Sequence, residues 1–101
     1  MRDTKYLRQQ KKMLCVCTYS QQNLESHHLL RCSSRIGMSG KSSDHHTIPL
    51  RSDIHRALHD SGDEVKFLKK YNITNAEKLA EDLYKNKNNL KKCRRIIYGL
   101  S

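Results

Sequence analysis

The sequence predicts a small α+β fold in which two short strands lead into a helix and more helices follow. Three observations carry this. All six histidines lie between His27 and His59, in the order H-H, H-H and H-x3-H, with the first pair in a short segment and the second opening the β-prone run D-H-H-T-I-P-L. The last pair, His55 and His59, lies one helical turn apart and so shares a helix face. Beyond Gly62 the chain carries repeated helix-start signals, S-G-D-E at 61 to 64 and T-N-A-E at 74 to 77.

Taken in order, residues 3 to 14 place Tyr6, Leu7, Met13 and Leu14 at helical spacing, with Asp3 or Thr4 available as a cap. L-C-V-C-T-Y at 14 to 19 is apolar and β-prone, and S-Q-Q-N breaks it before L-E-S-H-H-L-L. If that segment is a strand, His27 and His28 point to opposite faces, so one ring can face a metal while the other faces a substrate. Arg31 to Asp44 is rich in Ser and Gly and reads as a surface loop. Its G-K-S is not a phosphate-binding loop, because Arg35 stands where the motif needs a Gly, so no nucleotide cofactor is expected. Pro49, the one proline, suits a strand end ahead of a helix.

Ser52 or Asp53 can cap the next helix, on which Ile54 and Leu58 form an apolar stripe beside His55 and His59. Val65, Phe67, Leu68 and Tyr71 are the apolar positions of a second helix. Ala76, Leu79, Ala80, Leu83 and Tyr84 follow at i, i+3, i+4, i+7 and i+8, the strongest helical periodicity in the chain. After Lys85 the sequence turns polar and basic, as either a helix extension or a nucleic-acid-binding tail would. There is no internal repeat.

Twenty Lys and Arg against ten Asp and Glu give a net charge of +10, the footprint of a protein that meets phosphate. One domain of 101 residues has a modest core, so a bound metal would also support folding. Cys15, Cys17, Cys32 and Cys93 read as reduced thiols, and no apolar run approaches the roughly 18 to 20 residues that cross a bilayer. A cytoplasmic protein without a membrane partner is therefore expected. Neutral imidazole is the commonest metal-binding side chain. One strand histidine with His55 and His59 supplies three ligands and leaves a position open, the mark of a catalytic site.

The order of strand with H-H, loop, short strand and helix with H-x3-H resembles the ββα-metal (His-Me finger) site of HNH nucleases. Its histidine spacing is similar to that of the colicin-type nuclease domains. The wording His27-His28-Leu29, Gly37 to Lys41, Ser43-Asp44, Thr47 to Leu50, His55, His59 and Gly62-Asp63-Glu64 resembles a phage and prophage HNH family related to the Ref-type recombination nucleases. The resemblance runs to about Tyr84. It implies a nuclease domain over 1–86, with its core at 14–60, a helical cap at 61–86 and a flanking N-terminal helix, followed by a basic tail at 87–101. Arg51 and Ile54 stand where that family has a Cys and a His, and Leu14 and Cys17 where it has a C-x2-C. The resemblance thus implies that a structural zinc has been lost in favour of apolar packing.

By the same resemblance the chain would be a metal-dependent endonuclease that hydrolyses phosphodiester bonds, with DNA the favoured substrate and RNA the alternative. His27, His55 and His59 would hold one divalent ion (Mg, Mn, Ni or Zn), and His28 would be the general base. His46 stands at the middle position of the motif, as a second catalytic group. Lys41, Arg51, Arg56 and Arg35 are the expected contacts to nucleic acid. Two other readings stand beside this one. The first is a degenerate HNH fold that binds nucleic acid without cutting it. The second is a zinc-stabilised binding protein in which Cys17 closes a tetrahedral site with the three histidines.

Overall fold

The computed structural model describes residues 3–29 and 44–99. Its elements run α1 (Thr4–Gln10), β1 (Leu24–His28), β2 (Thr47–Arg51), α2 (Ser52–Ser61), α3 (Glu64–Lys69), α4 (Ala76–Lys85) and α5 (Leu90–Tyr98). The result is a small α+β fold built on a two-stranded antiparallel sheet. Leu24 stands opposite Arg51, His27 opposite Ile48 and His28 opposite Thr47.

Both strands lean on a core whose fully enclosed members include Ile48, Leu50, Leu58 and Leu83. Asp3 caps α1 by accepting the Tyr6 amide, and the buried Gln10 at its other end donates to the Thr47 carbonyl, which fastens the helix to β2. The periodicity of α4 is realised, with Leu79, Ala80 and Leu83 buried and Asn75 accepting the Lys78 amide as the cap. In α3 the apolar spacing holds for Phe67 and Leu68, but Val65 faces solvent.

Four expectations change. The apolar run 14–19 is not a strand. Leu14, Cys15 and Val16 are buried, but the backbone turns, with Cys15 bonded to Ser20 and Tyr19 at φ 62°, a left-handed conformation that ends any extended run. Val16 reaches the sheet by donating to the Pro49 carbonyl, and the Cys15 side chain is hydrogen-bonded to the Arg51 backbone. Pro49 in turn sits in the middle of β2 rather than at its end. A two-stranded sheet tolerates this because each strand is an edge, where a missing N–H need leave no partner unpaired.

Neither Ser52 nor Asp53 is the N-cap of α2. That position falls to Arg51, which makes no side-chain cap bond. Residues 87–101, expected as a basic tail, instead carry a docked helix through Tyr98. Asn89 caps α5 by accepting the Lys92 amide, and Cys93 and Ile97, four residues apart, are both fully buried. Arg94 pins the helix to the end of α1 by donating twice to the Lys12 carbonyl. Cys93 and Ile97, flanked by the partly buried Leu90 and Ile96, were enough to dock a helix whose outer face is basic.

Candidate metal centre

Alternation along β1 puts Glu25 and His27 on one face and His28 on the other. The face with Glu25 and His27 looks at α2, where His55 and His59 stand one turn apart. The three rings converge. His27 Nδ1 lies 3.2 Å from His55 Nε2, which lies 3.2 Å from His59 Nε2. All three ligand atoms fall within 4.8 Å of one another.

The outer nitrogens of two of these rings are held by carboxylates. His27 Nε2 donates to Glu64 Oε1 at 2.5 Å, and His55 Nδ1 donates to Glu25 Oε1 at 2.8 Å. An ionised carboxylate only accepts, so each ring carries its proton on the outer side. In the neutral rings the inner nitrogens, His27 Nδ1 and His55 Nε2, are lone pairs that face each other. Two lone pairs at that distance repel unless a proton or a cation lies between them. Two nitrogens bound tetrahedrally to one zinc, each at about 2.0–2.1 Å, stand about 3.3 Å apart, close to the spacing seen. His, Glu and spacing together therefore compose a group that can hold a metal ion.

Burial is graded across the trio. His27 is buried, His55 intermediate and His59 exposed, so the group opens to solvent along α2 and a fourth ligand can enter from that side. Cys17 does not belong to the trio. It pairs with Cys15, and the hydrogen bond between the two thiols raises the Cys17 pKa while lowering that of Cys15 to about 5. Among the described residues, then, no cysteine closes the site. Cys15, Cys17 and Cys93 are free thiols.

His28 turns the other way. Its side chain is 43% exposed and its Nε2 donates to Asp44 Oδ1 at 2.7 Å. Asp44 is itself buried and its second oxygen accepts the Asp3 amide at 2.7 Å, so the carboxylate is held at both ends. His46 does not join the trio. Its Nε2 lies 4.0 Å from Glu81 Oε2, and it groups with Glu77 and Glu81 on α4. Arg51 forks onto Asp53 through Nε and Nη2 at 2.6 and 2.9 Å. That hydrogen-bonded pair raises the Arg51 pKa and holds Asp53 below the usual carboxylate range. Arg56 stands exposed on α2, whereas Arg35 and Lys41 lie outside the described residues.

Sequence reading singled out the three histidines of the trio and His28 but assigned no role to Glu25, Glu64 or Asp44. Signals existed: Asp44 and Glu64 stand in the motif wording quoted above, and Glu25 precedes His27 by two, which on a strand means the same face. No helix among the described residues is long and apolar enough to cross a membrane. No curated protein and no solved structure matches the chain. Residues 1–83, which include the histidine trio, its carboxylates and His28, match the family described as "Protein of unknown function (DUF968)", and to that family the chain belongs.

Proposed function

We propose that the chain is a metal-dependent endonuclease with a ββα-metal site, acting on phosphodiester bonds of DNA. The observation that supports it best is the convergence of His27 Nδ1 and His55 Nε2, 3.2 Å apart, completed by His59 and backed by Glu64 and Glu25. Beside it, on the other face of the same strand, stands a carboxylate-held and half-exposed histidine. Bound at His27, His55 and His59, a divalent ion would supply Lewis-acid polarisation of the scissile phosphate and charge stabilisation for the departing 3′ oxygen.

The remaining chemistry falls to the chain's own side chains. His28 carries its Nε2 proton toward Asp44, so Nδ1 is the nitrogen left to take a proton from the attacking water. Asp44 holds that tautomer and stabilises the imidazolium once the proton has moved, as a buried carboxylate does for any histidine base. Arg56, exposed on the helix that carries two of the ligands, is the phosphate contact closest to hand in sequence. The excess of positive charge favours a polyanionic substrate.

Incubation with supercoiled plasmid and with single-stranded DNA, under Mg, Mn, Ni or Zn and with a chelator control, tests the proposal. Cleavage with at least one ion, lost on chelation, is expected. A binding module that holds metal and DNA without cutting is the second reading, favoured by His46 lying with Glu77 and Glu81. Protein that carries bound metal and retains DNA yet leaves it intact under all four ions would select that module and reject the nuclease.

A further inference from the structure

We propose that His46, Glu77 and Glu81 form a second divalent-cation site, separate from the histidine trio, that clamps the approach to β2 onto α4. His46 stands immediately before β2, and its side chain is 14% exposed. Glu77 and Glu81 are one turn apart on α4 and therefore share a face. Their ligand atoms and that of His46 all fall within 4.8 Å of one another, drawn from two elements far apart in the chain.

A divalent ion would take one oxygen from each carboxylate and the imidazole nitrogen of His46 as three ligands drawn from the two sides of this contact. Glu81 is half-exposed, at 53%, so rotation of its side chain closes the remaining distance without moving the helix. The group also borders a cleft of about 880 Å³, walled by His45, Asn75 and Tyr84 and rimmed by Lys78, Lys85 and Lys87, which leaves room for coordinated water. One nitrogen and two carboxylate oxygens suit a transition ion that accepts hard ligands, such as Mn2+, better than the all-nitrogen trio does. The two sites therefore differ in preference, and this difference makes them separable.

The test loads the parent protein with one equivalent of Zn2+, then titrates Mn2+ while free Mn2+ is counted by electron paramagnetic resonance and amide signals are followed by NMR. The expected result is uptake of one Mn2+ with paramagnetic broadening centred on Ala80 and the start of β2. The double variant Glu77→Gln, Glu81→Gln should keep its zinc and lose at least tenfold in Mn2+ affinity, and His46→Gln should do the same. Unchanged amide dispersion in these variants shows that the loss is not unfolding; should one variant unfold, the other decides. No Mn2+ uptake by the parent, equal uptake by the Gln variants, or broadening centred on Leu58 would each overturn the proposal. Because the α4 signals respond independently of α2, failure of the trio to bind zinc would show in the α2 signals alone, and the Mn2+ result would still decide for or against this second site.

Discussion

Glu64→Gln isolates the contribution of a carboxylate that would support the proposed metal centre from behind His27. The side chain is 4% exposed, and its oxygen accepts the hydrogen bond from His27 Nε2 at 2.5 Å. Glutamine keeps the size and still offers an acceptor oxygen, so what is lost is the charge that makes His27 a stronger donor of its lone pair. Removing such a partner lowers metal affinity about 10- to 100-fold. At a metal concentration of about 100 Kd the parent gains about 2.7 kcal/mol from binding, and the variant would gain only about 1.4 to 0.4 kcal/mol. For a domain of this size about 1 kcal/mol moves Tm by about 4–8 °C, so the metal-induced rise in Tm should shrink by about 5 to 18 °C. Thermal unfolding with and without Zn2+, beside a chelator competition, reads both quantities. If Glu64→Gln gained as much from metal as the parent while His59→Ala gained nothing, Glu64 would have no part in positioning His27. If the parent itself gained nothing, the trio would not be a metal site.

Three further outcomes are expected. His28→Ala should lose about 10²- to 10⁴-fold in plasmid cleavage while metal content stays at the parental level; Asp44→Asn should also slow cleavage and spare the metal, whereas equal cleavage by His28→Ala and the parent would move the base elsewhere. Leu83→Ala, at a fully enclosed position, should cost about 2–5 kcal/mol in urea unfolding with metal chelated, and a loss under about 1 kcal/mol would mean that α4 is not packed as described. Burial raises the pKa of Tyr6 above its ordinary value, so the folded chain holds a proton that the unfolded chain releases near pH 10. Stability is therefore full below about pH 10 and falls above it by about 1.4 kcal/mol per pH unit, a decline that Tyr6→Phe should flatten in pH-dependent unfolding curves.

The parts of the molecule that could be read from sequence are those whose information is local. His55 and His59 share a face because of helix geometry alone, and α4 declares itself through five apolar positions at one period. The carboxylates behind the rings depend on chain reversals. Glu64 reaches His27 across 37 positions and Glu25 reaches His55 across 30, and no spacing rule links such residues. The run at 14–19 misled because apolar content says that a segment is buried without saying that it is extended, and Tyr19 in a left-handed conformation decides against a strand. In α5 the charge of Lys91, Lys92, Arg94 and Arg95 masked the pair Cys93 and Ile97, although Asn89 at the cap was a legible start signal.

Gly62 ends α2 in the left-handed region at φ 73°, and Asp63 then caps α3 by accepting the Lys66 amide. This corner is a ruler. It fixes the run of chain from His59 to Glu64, so that a ligand at the end of one helix and a carboxylate at the start of the next address the same imidazole. A residue added within it would turn Glu64 about 100° around its helix, given about 3.6 residues per turn, and carry it off His27. Sequences that keep this centre should therefore hold the H-x4-E interval from His59 to Glu64 constant even where the helices on either side vary in length. An interval that changes length should be accompanied by loss of the histidines themselves.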